Sequence, residues 1–351
     1  MQIPKLEKLS KKPFVSICTP TFNRRPFFPL IINCVENQKY PKDKIEWIII
    51  DDGEDKIEDL VSHIPYVKYF KYDEKMTLGK KRNLMHEKCK GEVIIYMDDD
   101  DYYPPERIIH AVDTLRTNPK KLCAGSSEMY IYFKHISKMY QFGPYGPNHS
   151  TAGTFAFRKE LLQITSYDNN ACLAEERHFL KEYTIPFAQL NPMKTILVFS
   201  HIQNTFDKKT LLQHLNDKVK ISDKTVDDFV KEADIKKFFL EDIDDILEKY
   251  EPGNVKNKPD VIKQTTEIHK NRMETAIKQQ KQINDYKQIV NKIQNSSSGN
   301  LQYEQKINQM GTVIQELTLE NTQLKEKVTY LDDKIKKIIM AQIEKNKQIH
   351  P

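Results

Sequence analysis

Several things are scarce in this chain, and each scarcity excludes something. The five cysteines (Cys18, Cys34, Cys89, Cys123 and Cys172) are odd in number and widely spaced, without a CxxC pair. That pattern argues against a structural zinc site and fits a reducing compartment. No apolar run approaches the ~20 residues that cross a bilayer. Residues 1–12 are polar and lack the apolar centre of a signal peptide. The expectation is therefore a soluble, cytoplasmic protein with no transmembrane segment, in which the tripeptide Asn148-His149-Ser150 is a chance glycosylation match. The net charge of +5 in a chain with 30% charged residues is mild, and no basic block alternates with aromatics. Nucleic acid is not an expected partner.

Four consecutive aspartates are what the chain does have. Asp98, Asp99, Asp100 and Asp101 follow the apolar run Val93-Ile94-Ile95-Tyr96-Met97. Such a run behind Gly91 reads as a buried strand. The acids then sit at its C-terminal end, where open α/β sheets hold ligands. Four like charges in a row call for a cation, and a hard divalent ion bridged to phosphates is the usual one. The plain alternative is a solvated acidic turn.

At 351 residues the chain has length for two domains, and its aromatics thin out after about residue 206. Strands are expected at 15–19, 46–50, 67–70 and 93–97, with helices at 26–38 and 78–88. That βαβαβ order predicts an α/β fold with a mostly parallel sheet flanked by helices. The sheet would bring Thr19-Pro20-Thr21, Asp51-Asp52-Gly53 and the four aspartates to one edge. Gly79-Lys80-Lys81-Arg82-Asn83 opens the second helix, where N–H groups and cations form a workable pyrophosphate cradle. A solvated basic helix face is the other reading. It is not a Walker loop, because the first glycine is missing and no Ser or Thr follows the lysines. A tyrosine- and phenylalanine-rich hairpin is expected over 129–142. A helical stretch over 174–183 carries Glu175 and Glu176.

These residues together resemble glycosyltransferase family 2, with the nucleotide-sugar-binding GT-A fold. The similarity runs in the family's order through Thr19-Pro20-Thr21-Phe22-Asn23-Arg24, Asp51-Asp52-Gly53, Gly79 to Asn83 and Met97 to Tyr103. It continues through Gly153 to Arg158, Glu175-Glu176 and His201-Ile202-Gln203-Asn204-Thr205, covering roughly residues 13–206. The resemblance implies an inverting, metal-dependent transferase that takes a nucleotide sugar, UDP-linked by preference, to a glycan, protein or small-molecule acceptor. It places nucleotide-sugar binding on Thr21, Asn23, Arg24, Asp51, Asp52, Lys81, Arg82, Asn83, Asp98 and Asp99. Mn²⁺ or Mg²⁺ falls to Asp98 and Asp100, with His201 either close to the metal or structural. Gly153 and Thr154 lie where relatives shape the acceptor pocket. The base is one of Glu175 and Glu176. Neighbours on a helix point roughly 100° apart, so only one aims inward; Glu176, the second of the pair, is favoured, although the family often has Asp there.

Beyond residue 206, four segments are expected: the catalytic domain (1–206), a helical extension (207–250) with Leu211, Leu215 and Val219 on one face, a polar helix with a Ser-rich linker (251–300), and a coiled coil (301–351). Ile307, Ile314, Asn321, Val328 and Ile335 occupy a positions; Met310, Leu317, Leu324, Leu331 and Ile338 occupy d. β-Branched residues at a, Leu at d and one buried Asn favour a parallel homodimer. Two other functions share these features. A degenerate transferase domain could serve as the head of a coiled-coil tether. A nucleotidyltransferase would be expected to carry a glycine-rich loop after strand one, where Thr21-Phe22-Asn23-Arg24 has no glycine.

Overall fold

The computed structural model describes residues 4, 6–173, 175–205, 207–213, 217–296 and 309–320. Contacts divide the chain into two units, Met1–Lys209 with Leu215–Val261, and Thr210–His214 with Ile262–Pro351. The first unit is built on β1 (Val15–Thr21), β2 (Ile45–Asp51), β3 (Val67–Lys71), β4 (Val93–Tyr96), β5 (Cys123–Gly125), β6 (Met129–Phe133), β7 (Lys138–Phe142), β8 (Ala156–Arg158), β9 (Phe187–Gln189), β10 (Leu197–Ser200) and β11 (Val219–Ile221). Its helices include α1 (Phe28–Glu36), α2 (Glu58–Val61), α3 (Leu78–Lys88), α4 (Arg107–Thr117) and α5 (Glu176–Phe179).

Seven strands form one sheet in the order β3-β2-β1-β4-β8-β5-β9. β1, β2 and β4 are buried along their whole length, which is why their sequences run apolar without alternation. They are parallel and start level, Val15 pairing with both Ile45 and Val93. β1 and β2 also finish level, Thr21 opposite Asp51, whereas β4 ends sooner, Tyr96 lying opposite Cys18, so the aspartates that follow β4 emerge beside the end of β1. β8 runs antiparallel to β4, with Ile95 opposite Ala156. That reversal, which the βαβαβ reading did not contain, places the turn before β8 beside the aspartates. A second sheet, β10-β6-β7-β11, holds the expected hairpin as β6 and β7.

Two expectations need correction. Only Glu176–Phe179 is helical in the 174–183 stretch; Lys181, Glu182 and Tyr183 take left-handed φ values of 48°, 56° and 59°, which ends the helix. Ala174 lies outside the described residues. In the 207–250 extension Val219 is not on a helix face but starts β11 on the edge of the second sheet, pairing with Phe142. Leu215 lies outside the described residues. A long helix runs from Pro259 to Ser296, and helix is described again over 309–320. Met310, Ile314 and Leu317 fall on the latter, while Ile307 and the heptad from Asn321 onward lie outside the described residues. No described helix is long and apolar enough to cross a membrane.

Below the sheet, Met85, Tyr96, Phe155, Phe157, Tyr167 and Phe179 form one buried cluster. Arg107 on α4 is fully buried; its Nη2 donates to the carbonyls of Thr154 (2.8 Å), Phe155 (2.8 Å) and Tyr96 (3.3 Å). One guanidinium thus clamps the end of β4 to the turn before β8. Arg107→Met keeps the side chain's length but removes the guanidinium donor from all three carbonyls. It should destabilise the fold by about 2–4 kcal/mol, read as a lower urea midpoint with an unchanged slope; an unaltered midpoint would show that the clamp is dispensable.

Candidate active site

The strand ends are tied before any ligand arrives. Trp47 Nε1 donates to Thr19 Oγ1 (2.9 Å), which donates to the Met97 carbonyl (2.7 Å). This relay links β2, β1 and the residue after β4. From there the four aspartates diverge. Asp98 is fixed by its backbone N–H donating to Tyr103 Oη (2.7 Å), and its Oδ1 has no hydrogen-bond partner. Burial pushes its pKa up, opposed by Arg82, whose Nη2 lies 3.7 Å away. Asp99 faces Arg24 Nε at 3.8 Å, and burial pushes it up to about 7. Asp100 Oδ2 meets His201 Nε2 (3.2 Å) and Arg24 Nη2 (3.6 Å). Burial acts upward on Asp100, but the His201 hydrogen bond, Lys208 and Arg24 outweigh it and hold the carboxyl well below the usual range. Asp101 turns away and accepts the Phe199 N–H (3.3 Å), a tie to β10.

These groups line a cleft of about 300 Å³. Its wall carries all four aspartates, the cations Arg24, Lys75, Lys81, Arg82, Lys208 and Lys258, and Gly153. A Cβ on Gly153 would stand 2.9 Å from Asp98 Oδ2, so glycine keeps that face of the carboxylate open. Lys81 Nζ donates to Asp52 (2.7 Å) and to the Thr21 carbonyl (3.2 Å). Arg82 Nε donates to Glu175 (3.0 Å) while its guanidinium packs 4.3 Å from the Tyr96 ring centre. Glu175 is buried and committed to that pair. Glu176 is free of it, and neither glutamate is among the residues that line the cleft. Burial and then Glu175 push Glu176 up to about 7, with Arg82 opposing.

Other expected residues are spent on the scaffold. Asp51 accepts from Gly53 N (2.9 Å), Ile57 N (3.1 Å) and Tyr69 Oη (2.7 Å), so both oxygens shape the loop after β2. Asn23 has a left-handed φ of 52°; its amide accepts from Asp55 N (3.0 Å) and donates to the Pro252 carbonyl (3.0 Å). Asn83 bonds Tyr167 N and O and the Asn169 side chain. The Thr154 hydroxyl sits among Ser126 N, Ser150 Oγ and the Thr151 carbonyl. None of these four lines the cleft. The cradle at the start of α3 is likewise closed: Gly79 N donates to the Ala171 carbonyl (2.8 Å), and a Cβ there would collide with the Asp168 carbonyl. Gly79 serves close packing, and Lys81 and Arg82 act through their side chains.

His201 is buried, and burial pushes it down to about 4, so the ring is neutral near pH 7. Its Nδ1 accepts from Gln203 N (3.3 Å), and its Nε2 lies 2.7 Å from Asn204 Nδ2 and 3.2 Å from Asp100 Oδ2. Sequence reasoning missed Lys208, Lys258 and Asp260. They come from segments that the motif order does not reach, and lysines in a polar, lysine-rich stretch carry no local signal.

Comparison with known proteins gives this cleft a context. Residues 16–175, just under half of the chain, match the model of Glycosyl transferase family 2, which marks this stretch as a glycosyltransferase domain. The chain is similar to Staphylococcus aureus poly(ribitol-phosphate) beta-N-acetylglucosaminyltransferase TarS, at 26% identity over 106 residues. That match spans 26% of this chain and 17% of the relative's length. Among solved structures, S. aureus TarS residues 1–349 with UDP aligns at 17% identity and TM-score 0.42, over 54% of this chain and 61% of that one. A Pyrobaculum calidifontis mannosyltransferase with GDP-Man and Mn²⁺ aligns at 12% identity and TM-score 0.46, over 91% and 86%. Both scores are low, and the fold assignment rests on the strand order and the family match.

Proposed function

We propose that the chain is an inverting, metal-dependent glycosyltransferase that moves a sugar from a nucleotide sugar to an acceptor hydroxyl. The observation that carries this reading is the meeting of four carboxylates with Arg24, Arg82 and Lys208 in one cleft at the C-terminal edge of β1 and β4. The likeness to TarS, structures of which hold UDP and UDP-GlcNAc, makes UDP-sugars the first donors to test.

A divalent ion belongs to this reading. Among the described residues no three His, Cys, Asp or Glu side chains gather closely enough to enclose a metal alone. Asp98 and Asp100 supply two hard carboxylates, and Asp98 Oδ1 lacks a partner. That set fits Mg²⁺ or Mn²⁺, which takes its remaining oxygens from phosphate and water. When bound, the ion offsets diphosphate charge as the sugar–phosphate bond breaks. His201 Nε2 and Asn204 Nδ2 both contact Asp100 Oδ2, supporting contacts of the kind that tune metal sites. Arg24, Arg82 and Lys208 hold the leaving diphosphate.

Glu176 is the base. It takes the proton of the acceptor hydroxyl, whose oxygen bonds to the anomeric carbon as the bond from that carbon to the diphosphate opens on the opposite face. Glu175, held by Arg82, fixes the pair's register. A pKa near 7 suits the task, because the base is then both available and strong enough at neutral pH.

Three experiments test this reading. Asp100→Asn should abolish donor turnover and remove the extra thermal stabilisation that Mn²⁺ gives to UDP binding, with the fold intact by circular dichroism; undiminished turnover would refute the metal assignment. Glu176→Gln should keep donor binding and lose transfer by about 10²–10⁴-fold. In the wild type kcat should rise with pH through about 7 and level off above it, since only the carboxylate accepts a proton. That limb should vanish in the residual activity of Glu176→Gln, and a flat wild-type profile would exclude Glu176. Finally, we propose that the heptad drives a parallel homodimer. Asn321→Ile should raise the melting temperature of the full chain's dimer and broaden its oligomer distribution, and a monomeric wild type by sedimentation equilibrium at tens of micromolar would reject it.

A further inference from the structure

The cleft contains a buried cation that the mechanism above does not use. Lys258 is 4% exposed. Its ammonium can donate three hydrogen bonds. Among the described residues it has one such partner, Thr205 Oγ1 at 3.1 Å, and no carboxylate within salt-bridge distance. A buried charge left this way is costly unless something completes its shell. Arg24, in the same wall, also has a buried nitrogen, Nη1, without a partner. Both cations face the space in front of Asp99 and Asp100.

The position of Lys258 is built, not incidental. Gln203 Nε2 donates to the carbonyls of Leu247 (2.9 Å) and Tyr250 (2.7 Å). Tyr250 Oη donates to Asp55 (2.8 Å), and Asn23 Nδ2 donates to the Pro252 carbonyl (3.0 Å). A Cβ on Gly253 would collide with Gln203 Oε1, so the chain passes at closest approach there. Asp260 pairs with Lys75, and Asp260 and Val261 line the cleft beside Lys258. The segment Tyr250–Val261 is thus strapped to the loop after β1 and to the His201–Thr205 turn, carrying Lys258 inward.

We propose that Lys258 is a ligand of the donor diphosphate, and that Tyr250–Val261 completes the donor site from outside the family-matched segment. This rests on the nucleotide-sugar reading above. A diphosphate supplies what the lysine lacks, namely anionic oxygens in a water-poor wall, and charge-assisted hydrogen bonds there are strong. Without a ligand the same burial, and then Arg24, push the Lys258 pKa well below the lysine range against Asp99 and Asp100. The rival role is a counter-ion that merely neutralises those aspartates.

The two roles predict opposite results on the full chain. Titration calorimetry with UDP and GDP, in EDTA and in Mn²⁺, measures diphosphate affinity; ligand-observed NMR with uridine and guanosine measures the nucleoside alone. Lys258→Met should weaken the diphosphate that binds wild type by about 10- to 100-fold, with or without metal, and leave the nucleoside unchanged. Lys258→Arg should retain most of the affinity. The ligand-free melting temperature of Lys258→Met should equal or exceed the wild type's, because an unpaired buried charge has been removed. A lower melting temperature would mark a counter-ion and overturn the proposal, as would unchanged diphosphate affinity or an equal loss for the nucleoside. If wild type binds neither UDP nor GDP, the donor reading itself fails and takes this proposal with it.

Discussion

Everything in the first unit answers to one electrostatic problem: four adjacent carboxylates at the end of a buried strand. At 4 Å, two like charges near a protein surface repel by about 4 kcal/mol. The chain meets this by giving each aspartate a different partner. Asp101 is turned into the wall to accept a backbone N–H, Asp99 is buried against Arg24, and Asp100 is surrounded by His201, Asn204 and Arg24. Asp98 keeps a buried oxygen, Oδ1, without a hydrogen-bond partner. The run is therefore not one uniform acidic patch: its four carboxylates share one cleft wall in four different settings.

The cations that answer these acids come from three places in the chain: the loop after β1, helix α3 and the stretch at Lys208. None would be stable in that wall without the acids, and the acids would repel without them. A site balanced this way is sensitive to removal of either sign, because the group left behind is buried and unpaired.

Much of this was legible in the sequence, for a physical reason. β1, β2 and β4 are buried on both faces, so their apolar runs stand out, and their polar ends mark the site edge. What was not legible was the direction of each polar side chain. Asp51 and Asp52 are neighbours with the same chemistry, yet Asp51 closes a turn on Gly53 and Ile57 while Asp52 holds Lys81. Asn23 and Asn83 follow the same logic, since an asparagine at a strand or helix end serves a loop as readily as a ligand. The antiparallel β8 was hidden because three residues carry no periodicity, although its reversal is what brings Gly153 against Asp98.

The boundary of the active site also differs from the boundary of the motifs. Gln203 belongs to the motif stretch around His201, but its side chain reaches outward to the backbone of Leu247 and Tyr250. Asn23, held in a left-handed conformation after β1, reaches the same segment at Pro252. Two residues beside the aspartate cleft are thus committed to docking a later part of the chain. Losing that docking would leave the Gln203 amide and the Asn23 amide unsatisfied in a largely buried wall, at a cost for each of about 1–3 kcal/mol. The segment 250–261 and the motif core therefore form together or not at all, and a truncation ending near residue 206 would remove one wall of the cleft while stranding the polar groups that were built to hold it.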